Sequence, residues 1–259
     1  MESRTPVIWH FPKVASCLDV ARNLAVRGRL DVWESVTAES QEKGRGQLRR
    51  EWFSPPGNIY AALRLPLSSP FDAAAAAPAV GFLLARALRA AGIDACIKWP
   101  NDIAVAMPGG EEGKIAGILL EERGGILLAG IGMNLAEAPP RDVLREDAAL
   151  PGVCLREILG PDSPVPVPSR FWKRLVKHMC SSYNDNSFHA RWRSRAQDLL
   201  LWRRRDVELV DGARSAHGRL EGLGGGGGLL LSRDGACEEM FGGSLRLWKS
   251  APGKQSPLH

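Results

Sequence analysis

Three short clusters along the chain hold residue types that handle anions. The first is Gln41-Glu42-Lys43-Gly44-Arg45-Gly46, followed by Arg49, Arg50 and Trp52. Glycines leave backbone N–H groups open to an anion, and arginine offers a planar fork of donors to carboxylate or phosphate. The second is Lys98-Trp99-Pro100-Asn101-Asp102, then Gly113-Lys114-Ile115-Ala116-Gly117-Ile118-Leu119. A lysine at the start of an inner strand, with a glycine three residues on, lets a ligand lie flat on a sheet. The third is Gly130-Ile131-Gly132-Met133-Asn134, a glycine-bearing strand that ends in an amide. Each cluster taken alone also has a plain structural reading. Lys114 would be an exposed hairpin lysine, Trp52 and Trp99 core, Asn134 a turn cap, and the glycines bulges or tight packing sites.

These clusters need elements to hold them. Leu18, Ala21, Leu24 and Ala25 share one helical face, which predicts a helix over Val14–Arg27 with Ser16 as N-terminal cap. A strand is expected at Leu30–Val36, a mobile glycine-bearing loop over Ala38–Trp52, and a strand at Ile59–Leu67. Ala73–Ala91 reads as a helix, starting near Ala77 with Pro78 in its first turn or kinked there. Four short apolar runs follow, at Cys96–Trp99, Ile103–Met107, Lys114–Glu122 and Ile126–Leu135. Connections this short fit an antiparallel meander, since parallel neighbours need long crossovers. Helices flanking such a sheet make an α+β domain. Further helices are expected at Ser169–Asn184 and Ala190–Trp202. Short strands at Val207–Val210, Gly218–Leu220, Leu229–Ser232 and Leu245–Trp248 read as a small β-barrel, with Gly224–Gly228 as a floppy hairpin turn. The expected division is 1–202, 203–250 and a disordered tail 251–259.

Composition narrows the class. Hydrophobic residues make up 44% and charged residues 24% of 259, which excludes wholesale disorder. No apolar run approaches a membrane span, and the start lacks a signal-peptide core, so a cytoplasmic protein is expected. Cysteines 17, 96, 154, 180 and 237 form no Cys-x-x-Cys pair, and the histidines are dispersed, so no side-chain metal cluster is expected. Between Arg170 and Arg205 stand ten Lys/Arg against Asp185 and Asp198, a +8 segment in a chain of net +5. It reads as a solvated helix face, or as a surface attracting an acidic partner or nucleic acid. Trp172, Trp192 and Trp202 interleave with its charges.

In this order the three clusters resemble the catalytic domain of bacterial biotin–protein ligases. That family carries a Gly-Arg-Gly-Arg-Arg-Gly-Arg-x-Trp loop, a Lys-Trp-Pro-Asn-Asp segment, a Lys-hydrophobic-Ala-Gly-Ile-Leu strand and a Gly-Ile-Asn segment. Here they are Gly44–Trp52, Lys98–Asp102, Lys114–Leu119 and Gly132-Met133-Asn134, and Phe241–Arg246 resembles the end of the family's C-terminal barrel. The resemblance implies a class II synthetase-like catalytic domain with a mixed or antiparallel sheet, plus a small SH3-like barrel. It implies a ligase that uses biotin, ATP and Mg²⁺, makes biotinyl-AMP, and transfers the acyl group to a lysine of a biotin carboxyl carrier protein. Pairing of two copies is common in the family. Only about 15 residues precede Ser16, too few for a helix-turn-helix unit, so DNA binding and repression are not expected.

The resemblance also implies roles. Lys114 and Arg45 are the catalytic pair, with Lys114 between carboxylate and α-phosphate. Ser16, Cys17, Gln41, Gly44, Arg45, Gly46, Gln47, Lys114, Gly117 and Gly130 line the biotin site. Arg50, Trp52, Lys98, Asn101, Asp102, Asn134 and Arg246 line the ATP and adenylate site, with Mg²⁺ carried on ATP near Asp102. The chain departs from the family at Cys17-Leu18, where Thr-Asn is usual, and at Gln47, where an arginine helps retain the adenylate and Arg49 is the nearest substitute. These departures keep open a ligase for lipoate or octanoate, and a biotin- or nucleotide-binding sensor without turnover. A nucleic-acid-binding protein using the basic segment is a further alternative.

Overall fold

A computed structural model describes residues 6–47, 50–71, 73–140, 150–160, 162–212 and 214–248. Arg49 and the expected tail 251–259 lie outside the described residues. Seven strands form one sheet in the order β1-β2-β3-β7-β6-β5-β4. They are β1 (Ile8–Val14), β2 (Ser35–Gln41), β3 (Ile59–Leu65), β4 (Ala95–Lys98), β5 (Asp102–Ala106), β6 (Glu112–Arg123) and β7 (Ile126–Met133). Only β1 and β2 run parallel, and the β4–β7 meander is antiparallel as expected. Its tightest turn is Gly124-Gly125, both at positive φ (60° and 72°), the geometry a two-residue hairpin requires.

The helices split between the two faces. α2 (Ala76–Arg89), α4 (Pro168–Tyr183) and α5 (Phe188–Ala196) cover one face, where Ala61, Leu63, Ile103, Ile118 and Ile131 point. α1 (Cys17–Val26) covers part of the other, packing Leu18, Ala21 and Ala25 on Tyr60, Ala62 and Leu128. The rest of that face is left to the segment from Gly44 to Trp52. Pro78 does sit in the first turn of α2.

Several elements differ from expectation. Val14 ends β1 and is not helical; β1 was missed because Pro12 interrupts it, which an edge strand tolerates. The strand expected at Leu30–Val36 begins only at Ser35 and runs on to Gln41, so the expected loop over Ala38–Trp52 is strand at its start. The last helix stops at Ala196, followed by a 3-10 turn at Gln197–Leu199. A short helix α3 (Leu155–Leu159) was not anticipated. Its first turn is closed by Cys154 and Glu157, a cap made with an unusual residue.

The second sheet holds β8 (Asp206–Asp211), β9 (Arg214–Leu223), β10 (Leu229–Arg233), β11 (Ala236–Met240) and β12 (Ser244–Leu247), all antiparallel, in the order β11-β10-β9-β8-β12. β11 was missed: Cys237-Glu238-Glu239 has poor strand propensity and lies on an edge. Gly224–Gly228 is not floppy. Glu239 Oε1 accepts hydrogen bonds from Gly226 N–H and Gly228 N–H, both at 3.0 Å. The Gly227 carbonyl accepts the Trp99 indole N–H at 3.3 Å. A Cβ on Gly227 would lie 2.3 Å from Ala75 Cα, so only glycine allows this approach. Val207, Leu209, Leu220 and Leu245 belong to the same buried cluster as Ile97, Trp99 and Leu200, so the two sheets share one apolar core.

Candidate functional site

The α1 face of the large sheet is floored by glycine where β6 meets β7. Gly117 pairs with Gly132, and Gly130 with Leu119. The indole of Trp52 lies on this floor. A Cβ on Gly132 would stand 2.2 Å from Trp52 Cε2, and one on Gly117 2.7 Å from Trp52 Cζ3. Leu18 covers Gly130 in the same way, at 2.9 Å from Cδ1. In this structure Trp52 and Leu18 occupy the space over Gly117 and Gly130. Their missing side chains make room for Trp52 and Leu18.

Beside Trp52 stands a charge cluster built from three strand ends. Lys114 Nζ lies 2.7 Å from Asp102 Oδ1 and 5.3 Å from the Trp52 ring centroid. Lys98 Nζ lies 3.6 Å from Asp102 Oδ2. The β5–β6 register shift between Ile103 and Ala104 helps bring Asp102 and Lys114 together. Lys114 is also gripped through its backbone: its N–H donates to Pro151 O at 2.7 Å, and its carbonyl accepts Val153 N–H at 3.0 Å. One carboxylate thus faces two amino groups, which leaves the cluster ready for an anion.

Lys98 is only 4% exposed, and burial pulls its ammonium below the ordinary lysine range; Asp102 opposes that shift and Lys114 adds to it. Burying an ammonium costs the fold stability. Lys98→Met is expected to leave Tm unchanged or raise it while lowering turnover at least about tenfold, because an apolar chain of similar length removes the desolvation cost. A thermal melt beside an activity assay checks this. A Tm fall of more than about 5 °C would make Lys98 structural. The sign for pH follows. Since the folded value is below the unfolded one, this group's contribution to stability rises with pH between the two.

The glycine–arginine segment is folded rather than free. Gly46 N–H donates to Arg50 O at 2.7 Å, Arg45 bridges Glu51, and Trp52 N–H donates to Gly44 O at 2.9 Å. These contacts make a small flap whose base carries Trp52. Arg45 does not point at Lys114. Its guanidinium makes a two-pronged pair with Asp19 on α1, at 2.8 and 2.9 Å, and reaches Glu121 on β6 at 3.2 Å. Glu121 in turn lies 3.5 Å from Arg22. The Arg45 side chain holds Asp19 below the usual carboxylate range. In this arrangement Arg45 anchors the flap, and its backbone is what remains for a ligand. Asp19 and Glu121 were not singled out in the sequence. Asp19 in the first turn of a helix was the available signal.

Gln41 links the start of α1 to the end of the flap. Its Oε1 accepts Cys17 N–H at 2.9 Å and its Nε2 donates to Ser54 Oγ at 3.2 Å. Ser16 is buried at the N-cap of α1, yet its side chain makes no capping bond. Cys17 is buried, its thiol donating to Tyr60 O at 3.4 Å, and burial pushes it up to about 12. It is a neutral thiol at physiological pH and no nucleophile. Gln47 and Arg50 are exposed on the flap.

The remaining expected residues are structural in their visible contacts. Asn101 Nδ2 donates to Ile118 O at 2.9 Å, tying the β4–β5 turn to β6. Asn134 is buried, and its Nδ2 donates to Val153 O at 3.2 Å, which fastens the segment that grips Lys114. Arg246 pairs with Glu208 at 2.8 Å inside the second sheet and touches none of the other expected residues. The basic residues Arg170, Lys173, Arg174 and Lys177 are exposed along α4, across the sheet from Lys114. Trp172, Trp192 and Trp202 are buried, so none is available to stack on a base. Among the described residues there is no cluster of three or more metal-ligating side chains and no helix long and apolar enough to cross a membrane.

Residues 29–136 match the model of the biotin/lipoate A/B protein ligase family. The bifunctional ligase/repressor BirA of Salmonella typhimurium is 29% identical over 231 residues, covering 85% of this chain and 68% of that protein. BirA of Bacillus subtilis is 35% identical over 132 residues, covering 47% and 37%. Among solved structures, the biotin protein ligase of Aquifex aeolicus in complex with biotin and ATP superposes with a TM-score of 0.75 at 23% identity, over 94% of this chain and 99% of that one. The ligase of Leishmania major in complex with biotinyl-5-AMP gives 0.61 at 22%, over 95% and 99%. These likenesses agree on the large sheet with flanking helices followed by a C-terminal β-sheet unit. The stretch that matches the family model, residues 29–136, is the one that carries Gln41, Trp52, Lys98, Asp102 and Lys114.

Proposed function

We propose that this chain is an ATP-dependent biotin–protein ligase. The observation that carries the reading is the Lys98–Asp102–Lys114 cluster beside a glycine floor roofed by Trp52. Joining a carboxylate to a phosphate brings two anions together, and cations fixed beforehand lower that barrier. Lys114 stabilises the charge that builds as the biotin carboxylate oxygen attacks the α-phosphorus of ATP and the bond to pyrophosphate breaks. Asp102, 2.7 Å away, aims the Lys114 amino group. ATP would enter as its magnesium complex, and Asp102 is the carboxylate of the cluster that would face the ion. Gln41 and Ser16 hydrogen-bond the ureido ring, and backbone N–H groups of Arg45 and Gly46 hold the acid and adenylate. Lys98, Asn101, Arg50 and Asn134 serve the nucleotide side, with Arg246 reaching it only if it leaves Glu208. In the second step the neutral amine of a carrier lysine attacks the acyl carbon, the bond to the phosphate oxygen breaks, AMP leaves, and the new amide nitrogen loses its extra proton to water. We place the boundary between the catalytic and C-terminal units at 202/203, where α-structure gives way to β8.

One observation favours a second reading. Leu18 over Gly130 and the buried Cys17 make the α1 end of the cleft apolar, which suits lipoate or octanoate. Pyrophosphate release from MgATP, measured with biotin, lipoate, octanoate or no acid, decides between them. Release that requires biotin supports the proposal. Release with another acid transfers the mechanism to that acid, and biotin binding without release leaves a sensor.

A further inference from the structure

We propose that Ser54 is a positioning residue that fixes which polar atoms Gln41 shows to the substrate, an inference that rests on the ligase reading above. Four groups form one hydrogen-bonded chain. Cys17 N–H donates to Gln41 Oε1 (2.9 Å), Gln41 Nε2 donates to Ser54 Oγ (3.2 Å), and Ser54 Oγ–H donates to Trp52 O (2.9 Å). The two ends set its direction. A backbone N–H can only donate, so the amide oxygen must face Cys17. A backbone carbonyl can only accept, so the Ser54 proton must go to Trp52, leaving its lone pair for the Gln41 amide nitrogen. No hydroxyl rotation or amide flip satisfies all three bonds otherwise.

The consequence is polarity. Gln41 keeps one N–H and one oxygen lone pair in a fixed order. That pair matches a group offering an acceptor and a donor side by side, such as the edge of a cyclic urea. A plain acyl chain gains nothing from it. The chain of bonds also ties substrate recognition to the flap, since Trp52 N–H returns to Gly44 O at 2.9 Å. There is no slack at this point. A Cβ on Gly44 would lie 2.6 Å from Trp52 O, 2.7 Å from Ser54 Oγ and 3.2 Å from Gln41 Nε2.

The test compares wild type, Ser54→Ala, Ser54→Thr, Gln41→Ala and the Ser54→Ala/Gln41→Ala double variant. It uses biotin-dependent pyrophosphate release, with biotin binding by calorimetry as a second readout. Ser54→Ala is expected to raise KM for biotin about tenfold, with KM for MgATP and kcat within about threefold, the size of one lost hydrogen bond to a buried site. The double variant should be no worse than Gln41→Ala alone, since both changes break one chain. Ser54→Thr, which keeps the hydroxyl, should restore most of the affinity. Should Ser54→Ala fail to fold, Ser54→Cys, a weak donor and acceptor of similar size, should show the same KM shift in smaller measure. Unchanged KM for biotin in a folded variant, or losses that multiply in the double variant, would overturn Ser54's role and leave the ligase reading intact. Wild type that neither binds biotin nor releases pyrophosphate with it would overturn both.

Discussion

Lys114→Ala is expected to lower biotin-dependent pyrophosphate release by about 10²–10³-fold, the range seen when one fixed group facing transition-state charge is removed. Four features converge on that residue. Its ammonium is 2.7 Å from Asp102, it borders the Trp52 ring, its backbone is gripped by Pro151 and Val153, and its side chain is 29% exposed. The exposure matters for interpreting the result. A partly open amine can be removed without a cavity, and Asp102 keeps Lys98 as counter-charge, so stability should fall by less than about 2 kcal/mol. A folded variant with activity within about tenfold of wild type would show that charge at this point does not limit the reaction.

Gly132→Ala carries the other large expected effect. The added methyl would stand 2.2, 2.4 and 2.5 Å from three atoms of the Trp52 indole, inside any real contact distance. The strand cannot yield, because β7 is paired on both sides with β3 and β6. Trp52 must therefore leave the floor, taking the end of the flap with it. We expect a loss of about 1–3 kcal/mol in stability, as for an overpacked core, and loss of measurable adenylation. The signature is in the double variant. With Trp52→Ala the methyl has room, so Gly132→Ala/Trp52→Ala should melt at or above the Gly132→Ala single while staying inactive. A Gly132→Ala protein with wild-type Tm would mean that Trp52 does not rest on Gly132 in solution.

Much of the sheet was legible because its signals are local. The β4–β7 meander could be read from short apolar runs separated by Pro-Asn-Asp and Gly-Gly turns, and α2 from helical spacing. The misses have a common cause: what decides them is far away in the chain. β1 is a strand because β2 lies beside it, and nothing within Ile8–Val14 says so. Arg45 and Trp52 of the flap are held by Asp19, Glu121 and Ser54, whereas glycine and charge content argue for motion. The glycines of β6 and β7 were rightly marked as close-approach positions, but spacing cannot say whether a ligand or Trp52 makes the approach. Arg45 was chosen for its type, and type does not reveal that two carboxylates already hold it.

The hydrogen bond from Trp99 to Gly227 joins residues 128 positions apart, next to Lys98 of the charge cluster. During synthesis the chain emerges N-terminus first, at about 5–20 residues per second. The strand end carrying Lys98 and Trp99 must therefore wait several seconds, on that rate, for its last partner. Until then the Trp99 indole N–H lacks its carbonyl acceptor. The support of Trp99 is thus completed late in synthesis, after every residue of the neighbouring charge cluster has emerged. A nascent chain halted before Gly227 would carry every residue of the Lys98–Asp102–Lys114 cluster and still lack the support that sets Trp99 in place.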